Sequence, residues 1–402
     1  MNIITDKIKR ALILTCVLAV TLSGCSAEKE KEPEQADQTA EEKGYDLPVD
    51  EQVRDAAVEE CREKAVQMKR LTEERDSGNE GAPLSEEMSN LMMDELEKGG
   101  MPVSGWSFYQ DMRNYEEMDA FLAACEENEA SEIVSYKLYS DEVLARNEFM
   151  FDGEEMYLLS TTVSWNAEDD KMPANTALTR IRSWEYTERG WFIYELCTPE
   201  PPEVTEVVDG SAMLRVKPFD REYARIAEDY LSVIGYQGNN LFCSEWDEDH
   251  MEKIDYNGLF EYLYELENGN TFDRRAYENG IPAEEFEQIM TTYLPVSASS
   301  LREYAAYDEE TKRYEWIRLS VGNYAPRSFW SSVPEIVDMQ ENEDGTVSLT
   351  VNAVCPQEGS ENVLTHVLRA EFTENGRIRF LGNTIREDQS GELPEYQYRV
   401  QD

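Results

Sequence analysis

The chain offers few side chains for acid–base or nucleophilic chemistry. Of its 402 residues only two are histidine, His250 and His366. A Ser–His–acid or Cys–His site must use one of them. His366 falls in the alternating run Leu364, His366, Leu368, Ala370, Phe372, on its apolar side, where a hydrogen-bonded core histidine is expected. His250 lies in a polar passage and is the better chemical candidate. No Gly-x-Ser-x-Gly elbow, His-Glu-x-x-His pair, Walker-type loop or Gly-x-Gly-x-x-Gly fingerprint occurs, so no cofactor is expected. Carboxylates are abundant instead. Glycoside hydrolysis needs two that face each other, one with a raised pKa. Among 85 Asp and Glu, sequence gives no means of choosing a pair.

Other residue sets suit binding. Asp247, Asp249, Asp255 and Asn257 are oxygen donors close in sequence, the ligand type calcium takes. The spacing is not that of an EF-hand, since Gly258 at the sixth loop position would put Lys253 first and Tyr264 last. The alternative is a polar loop whose Asn and Asp side chains satisfy its own backbone. Asn239 and Asn240, in the same passage, add amide groups suited to a ligand. Trp316 and Trp330, with Tyr324, Phe329 and Arg327 near them, suit a groove for sugars or peptides; core packing uses the same residues.

One tetrapeptide carries a covalent chemistry. Lys7, Lys9 and Arg10 precede an apolar run from Ala11 to Leu22, which ends in Leu22-Ser23-Gly24-Cys25. A basic start, a short apolar run and small residues describe an export signal. The run is short for a membrane span. The tetrapeptide resembles the lipobox of bacterial lipoproteins. That resemblance implies cleavage before Cys25, a diacylglyceryl group on its thiol, and a membrane partner reached through the acyl anchor.

Composition narrows the partners further. The formal net charge is −48, which repels nucleic acid and anionic lipid head groups. No nucleic-acid role is expected, and membrane contact beyond the anchor is not expected. Apolar residues make up 41%, with 22 Tyr and seven Trp, enough for packed cores. Cys61, Cys125, Cys197, Cys243 and Cys355 are widely spaced and lack a C-x-x-C pair, so buried thiols with at most one or two bridges are expected.

The elements that must position these residues follow from periodicity. Residues 1–24 read as signal and 25–44 as a lipidated, acidic tether too polar to fold. Asp50, Ser85 and Asn114 read as caps of three helices, Asn114 with Glu117 as a capping box. A short strand is expected over 106–112, and five strands between 133 and 197 with Gly153 and Gly190 in turns. Pro199, Pro201 and Pro202 mark a boundary, so residues 45–200 and 201–402 read as two α+β domains, each with helices packed on one face of an antiparallel sheet. The segment 203–216 reads as the crossing between them. In the second domain a helix begins near Asp220, Pro282 opens another, and strands follow over 314–321 and from 335 to 381. Asp344-Gly345 and Asn375-Gly376 read as hairpin turns. The element order of residues 85–198 resembles the cone-shaped nuclear-transport-factor-like and cystatin-like folds.

From about Leu84 to Ile385 the chain resembles a family of clostridial surface lipoproteins of uncharacterised function. The resemblance rests on Gly235-Tyr236-Gln237-Gly238-Asn239-Asn240-Leu241, on Gly280-Ile281-Pro282-Ala283-Glu284-Glu285-Phe286-Glu287 and on Asp344-Gly345-Thr346. It implies a Gram-positive surface location and transfers no catalytic residue. The expected function is a lipid-anchored extracellular binding or scaffold protein acting on wall material or another surface protein. The alternative is a carboxylate-based hydrolase of wall glycans.

Overall fold

The computed structural model describes residues 40–75, 84–166, 172–199, 210–319, 331–386 and 396–400. Cys25 and the tether up to residue 39 lie outside these residues, as does the stretch 320–330 with Tyr324, Arg327, Phe329 and Trp330. Contacts divide the chain into two compact units between Pro218 and Phe219. Both mix helices with largely antiparallel sheet.

The first unit opens with a helical turn, Ala40–Lys43, and an extended stretch leading into helix α1 (Glu51–Arg75). The Asp50 carboxylate accepts the Gln52 amide at 2.9 Å, satisfying a donor that a helix start leaves open. On α1 the apolar residues Ala57, Cys61, Ala65 and Met68, at helical spacing, are buried, whereas Val53 is 40% exposed. Helix α2 (Glu86–Glu97) starts at Ser85, whose hydroxyl accepts the Met88 amide. Helix α3 (Tyr115–Glu126) has no capping box. Asn114, at a φ of 51°, instead donates its side-chain amide to the carbonyls of Glu97 and Met101. Residues 106–112 form bends and turns, and the strand of this region is the short β1 (Val103–Ser104).

Strands β2 (Ser131–Tyr139), β3 (Val143–Phe151), β4 (Met156–Ser164), β5 (Ala174–Tyr186), β6 (Trp191–Leu196) and β7 (Ser211–Arg215) join β1 in one seven-stranded sheet in sequential order. β1 runs parallel to β2, and the remaining pairs are antiparallel. The segment expected to cross between domains thus supplies the last strand of the first sheet. Along β3, Leu144, Arg146, Glu148 and Met150 point to one face, and Asn147, Phe149 and Phe151 to the other. The first face packs on α1 and α2 through Leu144, Val163, Cys61, Met68 and Met92. The second packs on α3 through Phe149, Phe151, Met118 and Phe121. Helices therefore cover both faces, which corrects the expectation that they share one. Burial along β3 agrees: seven of its nine residues are buried, from both alternating faces, as in a strand covered on two sides.

In the second unit, Asp220 caps α4 (Arg221–Ile226), which passes into a π-helical turn, Ala227–Leu231. Helices α5 (Tyr256–Asn268), α6 (Ala283–Tyr293) and α7 (Ala298–Tyr304) follow. Pro282 is the cap of α6 rather than its first helical residue. Three short strands, β8 (Ile281–Pro282), β9 (Tyr307–Asp308) and β10 (Arg313–Tyr314), form a small sheet in the order β8-β10-β9. Only Tyr314 of the strand expected over 314–321 is therefore in a strand, residues 315–319 are not, and the rest lies outside the described residues. A four-stranded antiparallel meander closes the unit: β11 (Val333–Glu341), β12 (Val347–Cys355), β13 (Ser360–Phe372) and β14 (Ile378–Ile385). The two hairpin turns lie where expected, with Gly345 and Gly376 at φ 83° and 73°, a conformation glycine adopts without strain. All five cysteines from Cys61 onward are free thiols, four buried and Cys243 half-buried. Among the described residues no helix is long and apolar enough to cross a membrane.

Candidate functional site

The first unit holds a pocket of about 370 Å³ between the start of α1, the extended stretch before it, and the sheet. Its floor is read from strand register. Arg146 pairs with Thr161, Glu148 with Leu159 and Met150 with Tyr157; Leu159 and Tyr157 in turn pair with Leu178 and Arg180. Three rows result, with Arg146 at one end, Glu148, Leu159 and Leu178 in the middle, and Met150, Tyr157 and Arg180 at the other. The end rows are four residues apart, about 14 Å at the usual strand rise. Leu47, Val49, Val53 and Ala57 supply apolar walls opposite.

The wall before α1 is held by the sheet itself. β6 pairs with β5 only from Ile181 onward, so the earlier half of β5 has a bare edge on that side. The chain at 44–47 uses it: the Arg180 amide donates to the Gly44 carbonyl at 2.7 Å, and the Leu47 amide to the Leu178 carbonyl at 3.1 Å. Gly44 sits at a φ of +78°, and a Cβ there would lie 2.8 Å from Cys197 Sγ.

Charged groups gather at both ends. Arg146 Nε donates to Glu60 at 2.7 Å and Nη1 to Glu148 at 3.0 Å, while the Tyr136 hydroxyl donates to the other Glu60 oxygen at 2.9 Å. The Arg146 side chain is 9% exposed and that of Glu148 10%. Burial alone would lower the Arg146 pKa; the charges and hydrogen bonds of Glu148 and Glu60 outweigh it, and the net direction is upward. At the opposite end Glu155 accepts from Arg180 at 3.0 Å and from the Tyr157 hydroxyl at 2.6 Å. Beside the Arg146 row Cys61 is buried, its thiol against the carbonyls of Leu144 and Thr161, and burial pushes its pKa up to about 12. Such a thiol is inert.

None of these residues was a candidate from sequence. Arg146 and Glu148 lie inside an expected strand. The usable signal was two opposite charges at i, i+2 in a run that is apolar apart from them and Asn147, which places both on one face of a covered sheet.

The sequence candidates lie elsewhere, in the second unit. Asn239 donates to the Ile234 carbonyl and accepts the Leu241 amide. Asn240 donates to the Lys253 carbonyl and accepts the Asp255 amide. Asp255 accepts the Gly258 amide at the start of α5 and the Tyr396 hydroxyl. Asn257 donates to the Glu315 carbonyl and accepts the Ala306 amide. These side chains thus tie the passage to itself and, through Asp255 and Asn257, to Tyr396, Ala306 and Glu315, and the ligand-facing role expected for Asn239 and Asn240 is corrected to backbone support. Burial raises the Asp255 pKa above its ordinary value, against the lowering effect of these bonds. Asp247 instead bonds exposed His250 at 2.8 Å and accepts the Asp249 amide. Asp255 and Asn257 are buried within the passage, so the four calcium candidates do not form one cage. Among the described residues no group of three or more His, Cys, Asp or Glu is placed to hold a metal ion. Trp316 is 9% exposed and packs on Phe272 at 5.2 Å, so this member of the expected aromatic groove belongs to the core.

Two further arrangements complete the polar inventory. Arg399 enters the same passage, donating to the Gly238 and Gly258 carbonyls and to Glu261 at 2.7 Å, with its side chain 1% exposed. His366 is fully buried, its Nδ1 donating to the Asn383 side-chain oxygen at 2.6 Å and its Nε2 accepting from the Tyr236 hydroxyl at 3.0 Å. It is a core histidine, as expected.

Fold and pocket together define a mixed α+β protein with a concave, apolar-walled pocket in its first unit. The chain belongs to DUF6070, a family of unknown function, whose pattern it matches over residues 54–399. Comparison with curated proteins and with solved structures finds no match.

Proposed function

We propose that this protein is a lipid-anchored binding protein of the bacterial cell surface, held at the outer face of the membrane through Cys25 and taking its ligand in the pocket of the first unit. In this reading the two units are two domains. The likeness of the first to nuclear-transport-factor-like or cystatin-like cones gains support from a pocket seated between a long helix and an antiparallel sheet. The pocket carries the proposal: its volume of about 370 Å³ is of the size that holds a small organic molecule, with apolar walls and a few convergent polar groups. Hydrolysis of glycans is the weaker reading. Glu60 and Glu148 are bridged by Arg146 as an ion pair, whereas a glycosidase keeps its two carboxyls apart across the scissile bond. Ligands of the expected kind are wall-derived molecules or segments of surface proteins.

The neutral apolar dye N-phenyl-1-naphthylamine, which brightens when it leaves water, tests this on the full chain. Saturable enhancement with about one site per chain is expected from a pocket of this size. Ala56→Trp, an exposed position on the pocket side of α1, fills the mouth and abolishes the enhancement. No saturable signal, or a signal indifferent to Ala56→Trp, overturns the proposal.

A further inference from the structure

We infer that the pocket selects an uncharged aliphatic chain over an aromatic or sugar ring and over an ion. The inference rests on the reading of the pocket as a ligand site and adds the ligand's chemical class. The apolar surface of the pocket is aliphatic: Leu159 and Leu178 on the floor with Met150 beyond them, Leu47 and Val49 before α1, and Val53 on α1 itself. Met150, Leu159 and Leu178 form one buried cluster, with Leu47, Val49 and Tyr157 packed against it. Among the described residues Tyr157 is the single aromatic of the lining, and its hydroxyl donates to Glu155. The remaining sequence of the first unit, residues 1–39, 76–83, 167–171 and 200–209, contains no Phe, Tyr or Trp, so it has no ring to add to this wall. Flat ligands gain most against flat π faces. Leu, Val and Met side chains offer many small dispersion contacts instead, which a flexible chain can follow.

Length and charge point the same way. The floor between the two charged rows runs over about 14 Å of strand, which a zigzag chain of about ten carbons spans at a bond length of about 1.5 Å. The charged groups along it are engaged with one another: Arg146 donates to Glu60 and Glu148, and Arg180 and Tyr157 to Glu155. An ionic end group seated among them would lose its water and compete with these bonds for partners. Glu41 and Asp50, also in the lining, are exposed, and an ion pair made in water contributes little. An uncharged chain takes the aliphatic surface and leaves every one of these bonds in place.

Displacement of the bound naphthylamine dye from the full chain tests this, with each competitor kept below its aggregation limit. Along hexanol, octanol and decanol each added methylene should strengthen displacement about fourfold. Dodecanol should gain nothing over decanol, because its last carbons pass the end row. 3-Phenylpropanol, close to hexanol in its partition from water, should displace more weakly than hexanol. Octanoate and octylammonium should both displace more weakly than octanol, and the disaccharide of N-acetylglucosamine should not displace at all. 1-Octanoylglycerol carries a chain of the same length on an uncharged polyol. Displacement equal to that of octanol identifies the ligand as the chain of a lipid, weaker displacement as a free chain, and both keep the chain as the recognised part. Met150→Ala opens the far end of the floor and should let dodecanol displace more strongly than decanol; if that variant does not fold, the cut-off in the wild type still decides. A preference for 3-phenylpropanol over hexanol, for either ion over octanol, or a gain that continues from decanol to dodecanol in the wild type overturns the inference while the pocket remains a ligand site. Failure of the dye to bind at all overturns the reading beneath it.

Discussion

Acid should weaken the second unit through His366. The ring is fully buried, stacks on Phe242 at a centroid distance of 5.3 Å, and is hydrogen-bonded in its neutral form at both nitrogens. Burial lowers its pKa from the ordinary 6.5 to about 4, the bond to Asn383 opposing only in part. In the unfolded chain the same histidine takes up a proton below about pH 6.5. Between the two values the unfolded state binds one more proton than the folded one, so stability falls as pH is lowered through this window. The slope for one proton is about 1.4 kcal/mol per pH unit, or about 2 kcal/mol between pH 6.5 and 5. Urea unfolding at those two pH values, on the wild type and on His366→Gln, isolates the term because every other titrating group is common to both. The wild type should lose about 2 kcal/mol more than the variant over the interval. Equal losses would refute the reasoning, since they would mean that the buried ring titrates as it does in water.

Three other perturbations have defined outcomes. Arg399→Met strands Glu261 in a site where the Arg399 side chain is 1% and that of Glu261 8% exposed, and should cost about 3–5 kcal/mol by urea denaturation; adding Glu261→Gln should recover part of that loss. Gly44→Ala forces a positive φ on a residue with a side chain and presses on Cys197, so it should cost at least about 1–2 kcal/mol and weaken dye binding by shifting the wall of the pocket. Cys25→Ser should release the protein from membrane fractions and abolish labelling by a radioactive fatty acid; unchanged retention and labelling would remove the lipid anchor from the account.

What the sequence made legible follows from where local rules suffice. The strands of both meanders were readable because β-branched and aromatic residues run between clear turns, and the hairpins at Asp344-Gly345 and Asn375-Gly376 need only local backbone geometry. The start of α1 was readable from Asp50 for the same reason. The pocket was not readable, because it depends on partners far apart in the chain: Arg146 meets Glu60 across 86 positions. Val53 continues the helical spacing of Ala57, Cys61 and Ala65, and periodicity cannot show that this buried stripe gives way to a cavity there. Asn239, Asn240, Asp255 and Asn257 drew notice as a dense polar cluster. Their function is to satisfy a buried irregular backbone, a need set by the tertiary fold rather than by their spacing.

The most direct test of a ligand site in the first unit is methionine-methyl NMR of the full chain titrated with the naphthylamine dye. Met150 lies on the pocket floor, whereas Met118 is packed in the core on the opposite face of the same sheet. The account predicts that the Met150 methyl signal moves saturably while that of Met118 stays in place. Movement of Met118 alone, or of neither, would contradict it.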